Sequence, residues 1–139
     1  MSLNPVYILY PVCALVLLTF LVLLVIPLRR FRAGFAGKVK AEDFRYGESA
    51  NVPPDVSIPN RNYMNLLEAP TLFYVACIVA FVAQVVTPGM ISLAWAYVGL
   101  RVVHSLIHLS YNRVRHRLAF FAASNVVLAV LWVRIAAAL

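Results

Sequence analysis

The chain predicts an all-α integral membrane protein built as a bundle of four transmembrane helices. Three observations predict it. Its 139 residues are 63% hydrophobic and only 12% charged, with a mean hydropathy of +0.86, a balance that soluble domains of this length do not carry. Four segments are each long enough to cross a bilayer, which takes ~20 apolar residues. The connections after the second and third segments are short enough to make helices two, three and four antiparallel neighbours. One membrane domain therefore accounts for residues 1–139.

Taken in order, the first helix runs from about Val6 to Leu28 and contains no charge. Its apolar run is too long, and its start too poor in basic residues, for a cleavable signal peptide. A polar loop follows, from about Arg29 to Asn60, where Pro53, Pro54, Pro59 and scattered charges argue against a continuous helix. The second helix runs from about Tyr63 to Val86 and ends at the turn tripeptide Thr87-Pro88-Gly89. The third, from Met90 to about Tyr111, carries Arg101, His104 and His108. The fourth, from Leu118 to Leu139, is charged only at Arg134.

The net charge of +7 suggests nucleic acid until its placement is considered. Of the basic residues, all but Arg101 and Arg134 fall between Arg29 and Arg61 or between Arg113 and Arg117. Clusters flanking apolar segments read as topology signals and contacts with anionic membrane lipids, not as a nucleic-acid surface. The Thr87–Gly89 turn and the residues before Val6 are uncharged. The positive-inside rule thus puts the first and third loops in the cytoplasm and both termini outside it, and the uncharged first helix with compact loops suggests a bacterial inner membrane. Cys13 and Cys77 sit singly in apolar segments and read as small fillers, without disulfide or metal spacing.

Chemistry concentrates on two helical faces. Arg61, Asn65 and Glu68 recur at spacings of four and three, so they share one face of the second helix. A carboxylate at membrane depth is costly and usually faces a bundle interior or a polar cavity. On the third helix Tyr97, Arg101, His104, His108 and Tyr111 form one polar stripe. At ~1.5 Å per residue, Arg101 lies roughly 15 Å and Glu68 roughly 10 Å below the same surface, so a guanidinium could bridge to the carboxylate. Such a pair could equally be a neutral strut, and the histidines interhelical hydrogen-bond glue. His104 and His108 have a zinc-like spacing, but no third ligand stands at an obvious position. Arg113, Arg115 and Arg117 anchor the helix at the headgroups on the simplest reading. Beside a polar cavity they would also make an anion-attracting mouth, since arginine binds carboxylates bidentately and lowers the pKa of a nearby thiol.

At this point the residues resemble a family. Arg61-Asn62-Tyr63-Met64-Asn65-Leu66-Leu67-Glu68 resembles the R-x-x-x-N-x-x-E signature on the second helix of the MAPEG superfamily, the membrane-associated proteins in eicosanoid and glutathione metabolism. Gly99-Leu100-Arg101-Val102-Val103-His104-Ser105 is similar to the R-x-x-H-[ST] run on their third helix, and Leu118-Ala119-Phe120-Phe121 to the opening of the fourth. The resemblance covers essentially the whole chain. It implies a homotrimer that binds glutathione between neighbouring subunits near the cytoplasmic face. By the same resemblance Arg61, Asn65 and Glu68 contact the tripeptide, and Arg101 and His104 line the site, with His108 where the family usually has a tyrosine. Arg113 matches an arginine of the third loop, and Arg117 the arginine that stabilises the thiolate. The implied activity is that of a glutathione transferase or peroxidase acting on a hydrophobic small molecule from the lipid. Thr71 also stands where a family tyrosine is usual, with Pro70 shifted earlier. Two other readings stand beside this one: a non-catalytic lipid- or ligand-binding relative, and a small proton-coupled transporter with Glu68 as carrier.

Overall fold

The computed structural model describes residues 4–139. After a 3-10 turn at Pro5–Ile8, helix α1 spans Leu9–Phe35, α2 Pro54–Leu67, α3 Ala69–Val82, α4 Pro88–Leu109 and α5 Val114–Ala136. Four stretches among the described residues are long and apolar enough to cross a membrane: Pro5–Phe35, Pro54–Val82, Pro88–Leu109 and Val114–Ala136. The second is α2 and α3 together, broken at Glu68. The all-helical membrane bundle expected from the sequence is thus what the chain forms.

Two boundaries differ most from expectation. The first helix runs on through the basic residues to Phe35, and the second begins at Pro54, so the expected Arg29–Asn60 loop shrinks to residues between Phe35 and Pro54. The prolines do not prevent this helix. Pro54 occupies its first turn, where a missing N–H costs nothing. Pro59 lies inside and withholds the N–H that would bond the carbonyl four residues earlier. That carbonyl belongs to Asp55, and it accepts Arg29 Nη1 at 2.8 Å instead. Arg29 Nη2 donates to the Leu109 carbonyl at the end of α4 at 2.9 Å. One guanidinium therefore ties three helices together at the basic end of the molecule.

Glu68 marks a true break, with φ −79 and ψ −93. Pro70 causes it, since its ring clashes with the carbonyl of Leu66 and it has no N–H to return to that carbonyl. The N–H of Glu68 still bonds Met64 O at 3.1 Å, and Thr71 N bonds Glu68 O at 3.1 Å, restarting the helix as α3.

The other connections have simple causes. Gly37 takes the left-handed conformation (φ 70) that ends α1, with Lys38 N bonding Ala33 O at 2.9 Å. Thr87 caps α4, its Oγ1 accepting Met90 N at 3.3 Å, with Pro88 at the first helical position. Asn112 closes α4 to α5 with φ 47, a conformation asparagine tolerates better than most residues.

The core runs along the bundle axis, where Leu15, Val22, Leu66, Phe73, Ala76, Cys77, Ala80, Ala94 and Leu131 are buried together. Phe73 stacks on Tyr97 with ring centroids 4.6 Å apart. Toward the basic end this apolar core gives way to buried polar side chains.

Candidate functional site

Five polar side chains of α2 and α4 are buried together: Asn62, Arg101, His104, Ser105 and His108. Sequence periodicity puts Arg101, His104 and His108 on the polar stripe of α4, and Ser105 belongs to the run that resembles the family motif. Asn62 was not singled out, yet it shares the buried face of α2 and α3 with Val56, Pro59, Leu66 and Phe73. Its signal was available as the one polar residue within an apolar three-and-four pattern. Ser105 Oγ donates to Asn62 Oδ1 at 3.3 Å, joining α4 to α2.

Arg101 has no exposed surface. Its Nη2 donates to the Asn65 carbonyl at 2.6 Å. In an unbroken helix that carbonyl would take the N–H of Ala69; at the Glu68 break it takes the guanidinium. The guanidinium carbon also lies 5.6 Å from the centre of the Phe121 ring, within cation–π range. The expected partnership of Arg101 with Glu68 is therefore corrected. Glu68 is exposed on the single chain, and the ion pair found among the described residues joins Arg30 to Glu48 at 3.0 Å. The break turns the carboxylate outward and offers the backbone in its place.

The stripe Arg61, Asn65, Glu68 is present as a face but looks away from the core: Arg61 and Glu68 are exposed and Asn65 is half-buried. Asn65 Nδ2 donates to Arg61 O at 2.9 Å, which orients it. Asn65 also lines a cavity of about 200 Å³, together with His104, Val114, Arg117, Leu118 and Phe121. The structure thus brings Asn65, His104 and Arg117 to one cavity, with Arg101 behind it. His108 lies one turn from His104, the ring centroids 5.7 Å apart and edge-on. Arg113 is exposed at the start of α5. Tyr111, the last member of the predicted stripe, lies past the end of α4 and bonds His116 Nδ1 at 3.0 Å.

Arg117 is held in place by the turn before it. Its Nη1 donates to Asn112 Oδ1 at 2.8 Å, so the left-handed asparagine both closes the turn and positions the arginine.

What distinguishes this end of the bundle is unused hydrogen-bonding capacity. Among the described residues, the buried side-chain atoms without a partner are Asn62 Nδ2, Tyr97 OH, Arg101 Nε and Nη1, His104 Nδ1, His108 Nδ1 and, away from this cavity, Arg30 Nε. Buried polar groups are nearly always satisfied, so a cluster of unsatisfied ones beside a cavity points to a ligand. The donors are mostly cationic or neutral N–H groups, which suits an anion rich in acceptors.

The family model described as MAPEG family matches residues 8–137 of this chain. No curated protein and no solved structure matches it.

Proposed function

The chain belongs to the MAPEG family, and from that premise we propose that it is a membrane-bound, glutathione-dependent transferase or peroxidase acting as a homotrimer. One observation carries the reading: a fully buried arginine, Arg101, leaves Nε and Nη1 unpartnered while contacting Asn65 and Phe121, two of the residues that line the cavity with His104 and Arg117. Such donors fit the carboxylates and amides of an anionic tripeptide.

Glutathione would supply the thiol sulfur that attacks a hydrophobic electrophile. The residues of the chain divide the remaining work. Arg101 and His104, with His108 behind them, bind and orient polar groups from α4. Asn65 presents its side chain from α2, and Arg61 and Glu68 extend that face outward. Arg117, held by Asn112, stabilises negative charge on sulfur and so lowers the thiol pKa. Arg113 adds positive potential at the mouth.

Two features support assembly with further copies. The cavity within one chain, about 200 Å³, is smaller than the ~300–1,000 Å³ of typical ligand sites. Glu68 is exposed on a membrane-spanning stretch, and counting ~20 residues back from Val82 places it inside the hydrocarbon. Lipid is a poor neighbour for a carboxylate, whereas a second copy would cover it and enlarge the cavity. By the positive-inside rule the basic loops support a site at the cytoplasmic side, with both termini outside the cytoplasm, of what we take to be a bacterial inner membrane.

Isothermal titration of the detergent-solubilised protein with glutathione tests the binding. We expect saturable heat at millimolar ligand or below, and no heat removes the glutathione reading. A non-catalytic ligand-binding relative is favoured by one observation, that Arg117 is already engaged by Asn112. The two readings separate on thiolate absorbance, which should rise on binding to the wild type and fail to rise in Arg117→Ala. An equal signal in both removes Arg117 from the chemistry.

A further inference from the structure

A second cavity lies outside this site and has a different character. It is a groove of about 720 Å³ between the last turns of α1 and the segment Val39–Phe44. Its walls are Ile26, Pro27, Phe31, Gly34, Phe35, Val39, Ala41 and Phe44, and its two polar members are both cations, Arg30 and Lys40. We propose that this groove binds an anionic phospholipid, with an acyl chain along α1 and the phosphate at Lys40.

Depth is the first support. The 27 residues of α1 extend about 40 Å at ~1.5 Å per residue, some 10 Å more than the ~30 Å hydrocarbon layer. The last two turns of α1, which carry Arg29, Arg30 and Arg32, therefore stand in the headgroup region. The groove begins at Ile26, at the hydrocarbon boundary, and rises past Arg30 to Lys40. Phe31 is 67% and Phe35 91% exposed, as aromatic residues are at an interface.

Charge is the second. Arg30 is engaged within the protein, paired to Glu48 at 3.0 Å and stacked 4.5 Å over the Phe44 ring. These contacts fix the far wall. Lys40 uses its backbone N–H on Asp43 at 2.8 Å, and its ammonium is left exposed at the rim. An apolar trough ending in an exposed lysine at headgroup height matches a lipid with an anionic head. A neutral hydrophobic molecule would leave that charge unused.

Gly34 makes the groove testable. A Cβ built there meets nothing within 4 Å, and the position is helical, so Gly34→Leu fills the trough without strain and improves helix propensity. The experiment is native mass spectrometry of the purified wild type, Gly34→Leu and Lys40→Gln, titrated with phosphatidylglycerol and with phosphatidylcholine of identical chains. We expect the wild type to favour phosphatidylglycerol about fivefold, the effect of one lysine near a membrane surface. Lys40→Gln should abolish the preference and keep the chain binding. Gly34→Leu should weaken both lipids. Equal wild-type affinity for the two lipids overturns the anionic assignment, and unchanged binding in Gly34→Leu overturns the groove as the site. A change of oligomeric mass in Gly34→Leu without any loss of lipid also overturns it, by placing a second copy there.

Discussion

Two prolines interrupt the second membrane-spanning stretch, and an arginine from another helix answers each interruption. At Pro59 the helix continues, and Arg29 of α1 takes the freed Asp55 carbonyl at 2.8 Å while its other terminal nitrogen holds Leu109 O at 2.9 Å. At Pro70 the helix breaks two residues ahead, at Glu68, and Arg101 of α4 takes the Asn65 carbonyl at 2.6 Å. The difference lies in what remains. Arg29 has both terminal nitrogens engaged at the edge of the bundle. Arg101 is fully buried and leaves Nε and Nη1 without partners. The first arginine is complete as a fastener. The second satisfies the backbone with one nitrogen and keeps the others for something the chain does not supply.

The largest expected effect follows from that contrast. Arg101→Met removes two donors to a bound anion, each charge-assisted bond contributing about 1.5–3 kcal/mol when buried, so glutathione affinity should fall by at least about a hundredfold. The fold should survive, because the carbonyl left bare at Asn65 is offset by relief of a buried charge. We expect the apparent Tm in detergent to move by no more than about 3 °C. Arg29→Ala should do the opposite. Partly screened by solvent at the basic end, its loss costs about 1–2 kcal/mol and lowers Tm by about 3–6 °C, with glutathione affinity changed by less than a factor of about three. If both variants lose affinity and stability in the same proportion, the two arginines do not differ as the geometry says.

How much of this was legible follows from the same pair. The four spans, their boundaries within a turn or two at the later helices, and the buried stripe of α4 could be read from hydrophobic length and period, because lipid leaves a chain few options. Asn65, His104 and Arg117 were read as site residues and do line one cavity. The helix through Pro59 was not legible, because what permits it is a side chain from a different helix. The fate of Glu68 was missed for the converse reason. Matching depth made it a fair partner for Arg101, but spacing along an ideal helix does not reveal that Pro70 breaks the helix there and frees a carbonyl nearer to the guanidinium. Asn62 was legible and overlooked: a polar residue on an apolar face is a stronger signal than one on a polar face.

A smaller effect sharpens the Pro59 half of the comparison. Alanine at 59 restores an N–H opposite the Asp55 carbonyl, so the carbonyl no longer depends on Arg29. In a double-mutant cycle, Arg29→Ala should cost about 1 kcal/mol less in the Pro59→Ala background than in the wild type, a coupling large enough to measure by thermal unfolding. The loss of packing at Pro59, which is buried, appears on both sides of the cycle and cancels. Additive costs would mean that Arg29 stabilises the bundle through Leu109 alone.

The smallest effect comes from a third place where a side chain answers a backbone group, with the charge reversed. In the loop, Asp43 Oδ2 accepts the Lys40 N–H at 2.8 Å and Oδ1 accepts the Ser49 hydroxyl at 2.8 Å. The Lys40 N–H first, and then Ser49, hold the Asp43 carboxyl below the usual carboxylate value. A carboxylate with a lowered folded pKa stabilises the loop fully above its unfolded value of ~3.9, and that contribution is lost as pH falls through the folded value. Arginine has no such transition in reach. Hydrogen exchange of the 38–51 amides should therefore be flat from neutral pH down to about pH 4, once corrected for intrinsic rates, and rise below it, while the Arg29 and Arg101 contacts do not respond. Asp43→Asn should loosen the loop slightly at neutral pH and remove the acid response. An acid response that persists in Asp43→Asn would assign it to another group and leave the loop held by its apolar contacts, Val39 and Val52 against Val56 and Ala33.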